Sequence, residues 1–171
     1  ITSAGGRCVD AGINGPPPRG TAKIVLHVSG PDARELEELT TPQIAVNVVS
    51  ERVGDVSAYK MCYSGMGKGM IAMVIGVLTM ARRLGVDAVV EAQLRRKWGG
   101  YFDEIIAELP NIPYKAYRFA PEMLEVAKTM ESAGLPPGIF AGAADMYKFI
   151  AATELGNEKP ENKRLSGKEI V

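Results

Sequence analysis

One long helix is the strongest structural signal in this sequence. Asp55 or Ser57 can cap its start, Leu84 lies near its end, and Gly85 can stop it. At 1.5 Å per residue such a helix is roughly 40 Å long. Its apolar residues lie on nearly every side, which predicts that the helix is buried over most of its surface. They are Met61, Cys62, Met66, Met70, Ile71, Met73, Val74, Ile75, Val77, Leu78 and Met80.

The residues before this helix have the pattern of β-strands. Residues 7–13, 22–29 and 44–51 form short runs that are rich in Val and Ile and bounded by Gly, Pro or Asp. Between the second and third runs, residues 32–39 have the spacing of a short helix. The sequence therefore predicts a β-β-α-β segment, whose sheet is too small to protect its own edges.

The residues after the long helix are helical in pattern. Helices are predicted over residues 87–98, 101–108, 121–133 and 137–154, and a polar tail that we expect to be mobile begins at Gly156. The predicted fold class is therefore an α/β segment of about three strands and one short helix, followed by an all-α domain. The predicted domains are a partial Rossmann-like β segment over 1–53, a helical domain over 54–155 and the tail over 156–171.

Charge and composition restrict the partners of the chain. Its 20 basic side chains balance 20 acidic ones, which argues against nucleic acid and against an anionic membrane as the main partner. The longest uncharged helical stretch, residues 69–81, is shorter than the ~20 residues that cross a bilayer. A single histidine, His27, and two cysteines without paired spacing argue against a metal site. We expect a cytoplasmic protein. Since the chain begins with Ile1, we also expect that it is trimmed, processed or a fragment.

Three polar residues interrupt the apolar surface of the long helix near its start. Lys60, Ser64 and Lys68 are four residues apart, so they share one helix face. The helix dipole and both lysines make this face positive, which favours a carboxylate or a phosphate. A lysine there could donate a proton to a substrate oxygen or accept one from it. The alternative is a solvated stripe in which the lysines reach into water.

Glycines lie inside the same helix, and each costs about 1 kcal/mol relative to alanine. Close packing of another helix would explain Gly65, Gly69 and Gly76. The stretch GMGKG, residues 65–69, also resembles a nucleotide-binding loop. However, Met70 stands where a dinucleotide fingerprint needs its third glycine, no strand precedes the stretch, and no Ser or Thr follows its Gly-Lys pair. We therefore predict helix packing, and we find no cofactor motif in the chain.

Three stretches of the sequence resemble a known family. They are CVDAGINGPPPRGTAKIVLHVSGPDA from Cys8, GDVSAYKMCYSGMGKG from Gly54 and GLPPGIFAGAADMY from Gly134. Together they are similar to the β-hydroxyacid dehydrogenase superfamily, and more closely to its 6-phosphogluconate dehydrogenase-like branch with a C-terminal helical domain of formerly unknown function. The resemblance covers most of residues 5–150 and corresponds to the end of a Rossmann domain plus the helical domain. It implies a homodimer, because the helical domains of this family interlock about a two-fold axis.

The resemblance also implies roles for particular residues. Lys60, which follows Gly54, matches the family's catalytic lysine and would be the general acid/base that hydrogen-bonds the substrate's hydroxyl or carbonyl oxygen. Ser64 stands where the family usually has an asparagine, and its hydroxyl would bind the substrate or orient the lysine. In the substrate loop, Asn14 replaces the family's serine and would line the substrate together with Gly15. Lys68, on the same helix face as Lys60, is predicted to bind the substrate as well.

The three consecutive prolines after this loop have two interpretations. Pro16 to Pro18 would hold Asn14 and Gly15 in place over a small-molecule substrate, since proline fixes φ and reduces the freedom of the unfolded chain. Alternatively, they form a polyproline spacer that only joins two strands.

The family's cofactor leads to three hypotheses of function. The resemblance implies NAD(P), although its glycine-rich binding motif is absent from this sequence. The first hypothesis is the C-terminal portion of an NAD(P)-dependent oxidoreductase that acts on a small hydroxyacid or a related carbonyl or imine compound. The second is a stand-alone, cofactor-free descendant that acts as a cyclase or isomerase or binds a hydrophobic ligand. The third is a dimerisation module without chemistry.

Overall fold

Three short strands form one sheet in the first part of the chain. In the computed structural model, which describes residues 2–14 and 22–158, β1 runs Asp10–Asn14, β2 runs Ile24–Ser29 and β3 runs Ile44–Ser50. Their order in the sheet is β1-β2-β3, with β1 antiparallel to β2 and β2 parallel to β3. A short 3-10 helix, Thr2–Ala4, precedes them.

The crossover between the two parallel strands is a 3-10 helix, Ala33–Leu39. Parallel strands need such a crossover because a tight turn can only return the chain antiparallel. On one face of the sheet Ile24 and Val28 of β2 are buried, and Ala33 of the 3-10 helix is buried as well. On the other face residues 45, 47 and 49 alternate outward and are exposed. The predicted short helix therefore forms, in the tighter 3-10 geometry.

Five α-helices follow, and they confirm the predicted fold class. They are α1 over Asp55–Arg83, α2 over Asp87–Trp98, α3 over Gly100–Glu108, α4 over Ala116–Ser132 and α5 over Gly138–Ala151. Three 3-10 helices lie at Leu109–Asn111, Pro113–Lys115 and Glu154–Asn157. The predicted start of the fourth helix at Pro121 is wrong, because α4 begins five residues earlier, at Ala116, and contains that proline inside it.

The chain divides into two compact units, Ile1–Tyr63 and Ser64–Val171. Helix α1 begins in the first unit and continues in the second. The first unit also contains the sheet, and the second contains a core in which Phe102, Met123 and Tyr147 are fully buried. The predicted boundaries at 53/54 and 155/156 stay predictions about domains, and residues 159–171 of the predicted tail lie outside the described residues.

Gly65, Gly69 and Gly76 of α1 are packing positions. A Cβ atom on Gly65 would lie 2.9 Å from Val126 Cγ1 and 3.0 Å from Phe140 Cζ, and one on Gly76 would lie 3.0 Å from Met146 Cε. These distances are too short for a side chain. The predicted explanation of the glycines by helix packing is therefore confirmed for α1 against α4 and α5.

The prediction that the long helix is buried on most sides is wrong for the single chain. Met66, Met73 and Met80 are 63%, 50% and 56% exposed. By length and composition α1 could also cross a membrane, but core helices of soluble proteins commonly share that property.

Candidate functional site

Lys60, the predicted acid/base, lies beside strand β1. A Cβ atom on Gly12 would be 3.8 Å from Lys60 Cδ and 2.9 Å from Val56 Cγ1. The bare backbone of Gly12 therefore lets α1 come close to the strand. Lys60 is exposed, and among the described residues it has neither an ion-pair nor a hydrogen-bond partner. Its role as acid/base stays a prediction, but its charge is available to an external group.

The start of α1 is capped by side chains of the sheet. The carboxylate of Asp10 accepts hydrogen bonds from the Ser57 backbone N–H and from Ser57 Oγ, both at 2.8 Å. Ser29 Oγ accepts one from the Val56 N–H at 3.2 Å. A helix N-terminus favours a carboxylate, and here the chain supplies its own. These two amide groups are therefore already occupied, and an external anion would have to interact through side chains.

Asp55, the first residue of α1, adds a second carboxylate at this end. Arg52 Nε and Ser50 Oγ each donate a hydrogen bond to it at 2.7 Å. The hydrogen bond from Arg52, followed by that from Ser50, lowers the pKa of Asp55 below its usual range, because both bonds favour the ionised form. Asp55 is therefore a structural anion that links the end of β3 to the start of α1.

A polar cluster that the sequence did not predict lies on the sheet face near Lys60. His27 in β2 pairs with Gly12 on one side and with Asn47 on the other. The side-chain amide nitrogen of Asn47 lies 2.9 Å from His27 Nδ1. The ring of Tyr59, the neighbour of Lys60 in α1, packs on His27 with ring centroids 5.0 Å apart. Only the strand register brings these residues together, so a local sequence signal for the cluster does not exist.

Ser64 and Lys68 form a separate cluster in the second unit with Glu122 of α4. Ser64 Oγ donates a hydrogen bond to Glu122, and Lys68 Nζ donates to Ser64 Oγ at 2.8 Å and to Glu122 Oε1 at 2.9 Å. The Lys68 ammonium also lies 5.1 Å from the centroid of the Phe119 ring. The predicted substrate-binding role of Ser64 and Lys68 stays a prediction, and it would require an anion to compete with Glu122.

Tyr147 supports this cluster from α5. Its hydroxyl donates a hydrogen bond to the Lys68 backbone carbonyl at 2.7 Å. Burial, and to a lesser extent the Glu122 carboxylate, raises the pKa of Tyr147 far above its usual value, because both disfavour a phenolate. Tyr147 is therefore a neutral hydrogen-bond donor that links α5 to α1.

The predicted substrate loop lies mostly outside the described residues. The Asn14 backbone belongs to β1 and pairs with Val25. Gly15 and the three prolines that follow lie outside the residues that the structure describes. The predicted substrate-binding roles of Asn14 and Gly15 therefore stay predictions.

The turn after β2 is the described strand-to-helix turn that most resembles a nucleotide cradle. However, a Cβ on Gly30 in this turn would lie 2.9 Å from the Cys8 carbonyl oxygen and 3.2 Å from Val53 Cγ2, so the space a pyrophosphate needs is filled. The following 3-10 helix begins with the carboxylates of Asp32 and Glu35, both of which pair with Arg7. This turn therefore does not fit the pyrophosphate of NAD(P), and the described residues contain no group of three or more potential metal ligands.

An apolar groove runs along α1 and α5 in the second unit. Its volume is about 460 Å³. The residues that line it are almost all small or apolar, and they include Gly69, Met70, Met73, Val77, Phe140 and Met146. Such a groove suits an apolar occupant and offers no group for acid–base chemistry.

A comparison with known protein families found a match for part of the chain. Residues 81–150 match a domain of unknown function, DUF1932. This part of the chain is therefore similar to the DUF1932 domain. This is the C-terminal helical domain of 3-hydroxyacid dehydrogenase-like proteins. The predicted resemblance to this superfamily is thereby confirmed, with the DUF1932 domain beginning near the end of α1 and extending to α5.

Individual proteins with a similar sequence or a similar structure were also found. An uncharacterized 28.5 kDa protein in the 7S RNA 5′ region of Methanothermus fervidus is 26% identical over 129 residues, which are 75% of this chain and 51% of that protein. A conserved hypothetical protein from Sinorhizobium meliloti 1021 has a similar structure, with a TM-score of 0.75 and 27% identity over 94% of this chain and 52% of its own. The chain thus spans about half the length of these relatives.

A third relative links the fold to an enzyme class. The structure of the conserved protein MTH1747, described as having unknown function and structural similarity with 3-hydroxyacid dehydrogenases, matches with a TM-score of 0.65 and 29% identity. The match covers 88% of this chain and 58% of that one. The fold of this chain is therefore similar to that of a protein described as resembling 3-hydroxyacid dehydrogenases.

Proposed function

We propose that this chain supplies the acid–base lysine of an NAD(P)-dependent oxidoreductase that acts on a small hydroxyacid or a related carbonyl or imine compound. One observation carries the proposal. Lys60 lies against Gly12 of β1 without an ion-pair partner among the described residues, in a chain with a dehydrogenase-like fold. A lysine that is not neutralised by a carboxylate can exchange its proton with a substrate.

In this proposal Lys60 acts on a single oxygen atom. When the hydroxyl of the substrate becomes a carbonyl, Lys60 Nζ accepts the hydroxyl proton, and in the reverse direction it returns that proton to the same oxygen. The turn after β2 does not fit the pyrophosphate of the cofactor, so the nicotinamide cofactor would be held by other residues.

Two substitutions of Lys60 test the proposal in the native gene product. Turnover of 3-hydroxypropionate with NAD(P)⁺ is measured for K60M and K60R, because arginine keeps the charge but cannot lose its proton. Both variants are expected to lose roughly 10²- to 10⁴-fold in kcat/KM. K97M is the matched control, since Lys97 is an exposed lysine of α2, and it should keep full activity.

The outcome for K60R decides between charge and proton transfer. If K60R turned over the substrate as fast as the unaltered protein, Lys60 would only attract an anion, and the acid–base role would be refuted. Undiminished turnover by K60M would remove Lys60 from the reaction altogether.

We further infer a homodimer in which α1 of a second copy covers the apolar groove. The exposed residues Met66, Met73 and Met80 are seven residues apart, the spacing of a seam between two helices. A two-fold partner would present the same stripe, so the contact can be self-complementary. The chain has no net charge, and two copies therefore approach without long-range repulsion. An apolar small molecule in the groove, as in the cofactor-free hypothesis, is the competing occupant.

A further inference from the structure

His27 is the single histidine of the chain, and it lies in the middle of a row of three residues across the sheet. The register pairs Gly12 of β1 with His27 of β2, and His27 with Asn47 of β3. Paired residues of neighbouring strands project from the same face. The Gly12 position on this face is covered by Val56 and Lys60 of α1. Lys60 therefore lies over the glycine that pairs with His27.

The imidazole of His27 is held on two sides. The Asn47 side-chain nitrogen lies 2.9 Å from Nδ1. Because an amide NH₂ can only donate, Nδ1 accepts this bond and the proton of the neutral ring lies on Nε2. The Tyr59 ring fixes the plane of the imidazole, with centroids 5.0 Å apart and an angle of 53° between the rings. This arrangement orients one N–H donor.

The oriented donor has no acceptor in the part of the chain that the structure describes. The bond to Asn47 is the hydrogen bond that His27 makes there, and it uses only Nδ1. A histidine that only fills a core would be fully buried, whereas His27 is half-buried beneath Tyr59, which is 38% exposed. The free N–H therefore lies at an accessible face next to a lysine that also lacks a partner.

Resting on the proposed function, we propose that His27 is a substrate-binding residue. Its Nε2–H donates a hydrogen bond to a carboxylate oxygen of the small acid whose hydroxyl group lies at Lys60. Asn47 is a positioning residue that holds the donating tautomer. The ligand class is a short hydroxyacid, because one cationic group on α1 and one neutral donor on β2 suit an anion with two oxygen-bearing groups.

The single histidine makes this inference directly testable by NMR. The 171-residue protein is labelled with ¹⁵N-histidine, and the two imidazole nitrogens are observed while 3-hydroxypropionate is added. We expect Nε2 to carry the proton in the free protein and its resonance to move as the probe binds. H27F should bind the probe roughly 10- to 100-fold more weakly, as expected for loss of a hydrogen bond to a charged group.

A second variant keeps the test decisive if H27F folds poorly. In N47D a carboxylate replaces the amide donor, so the proton moves to Nδ1 and Nε2 loses its donor role. N47D should therefore show the exchanged nitrogen pattern and the same weaker binding. V49T, a change at an exposed β3 position of the same sheet face, is the control and should bind like the unaltered protein.

The results separate this inference from the proposed function. No movement of the His27 nitrogens at probe concentrations well above the millimolar range, or unchanged binding by both H27F and N47D, overturns the role of His27. Loss of turnover in K60M together with that result would leave the oxidoreductase proposal standing. Normal turnover in K60M would instead refute the proposed function, whatever His27 does.

Discussion

Replacing Gly65 by alanine tests how closely the helices of the second unit pack. Alanine is about 1 kcal/mol more favourable than glycine in a helix interior. However, the new Cβ would lie 2.9 Å from Val126 Cγ1 and 3.0 Å from Phe140 Cζ. Val126 is buried and, as a β-branched residue, has little rotamer freedom. Overpacking of this kind costs about 1–3 kcal/mol, so we expect G65A to lower the free energy of unfolding by about 0–2 kcal/mol.

Gly67 provides the matched control two residues away in the same helix. A Cβ on Gly67 would meet nothing within 4 Å, so G67A should gain about 1 kcal/mol from helix propensity alone. The propensity gain is common to both variants, and the difference between them, about 1–3 kcal/mol, is the overpacking cost. At about 2–4 °C per kcal/mol for a chain of this size, G67A should melt roughly 2–12 °C above G65A.

Urea unfolding and calorimetry measure this difference directly. If G65A were as stable as G67A, the close approach of α4 and α5 to α1 would not depend on the missing side chain, and the packing argument would fail. A double variant, G65A with V126A, adds a further check. Removing the two methyl groups of Val126 should relieve the contact, so the two substitutions should be less destabilising together than their separate effects add up to.

Two further predictions concern pH and oligomeric state. Burial raises the pKa of Tyr147, so the folded protein keeps this phenol neutral while the same phenol in the unfolded chain ionises near pH 10. The free energy of unfolding should therefore fall as the pH rises above about 10. In urea titrations across that range, Y147F should lose most of this pH dependence, and an unchanged slope would contradict the assignment. For the homodimer, light scattering should give twice the 18.3 kDa chain mass for the unaltered protein and for V89E, whose valine is 66% exposed on α2. M73E should give one chain mass, and a dimeric M73E would place the contact elsewhere.

Periodicity was sufficient to predict most of the fold. Runs rich in Val and Ile identified β2 and β3. The first strand was predicted over 7–13 and runs Asp10–Asn14. The helix predicted from Asp55 or Ser57 to about Leu84 is α1, Asp55–Arg83. The start of α4 was missed because Pro121 has the ordinary signature of a helix start, whereas tertiary packing of the buried Ala116 and Ala120 extends the helix before it. Local signals cannot predict an extension that long-range contacts stabilise.

The candidate site was predictable only where its residues are close in the sequence. Helical spacing placed Lys60, Ser64 and Lys68 on one helix. It could not predict that Glu122, more than fifty residues later, would pair with two of them. Likewise, the contact between His27 and Asn47 depends on strand register, which the hydrophobic pattern restricts but does not encode in single residues.

The different partners of the two lysines decide which of them can carry proton transfer. Lys68 donates to a carboxylate at 2.9 Å and to a hydroxyl at 2.8 Å, so loss of its proton would break an ion pair in a partly buried place. Lys60 has neither an ion-pair nor a hydrogen-bond partner among the described residues. Sequence spacing alone makes the two lysines equivalent, but their surroundings do not. The proposed acid–base role is therefore assigned to Lys60, whereas Lys68 pairs with Glu122 of α4.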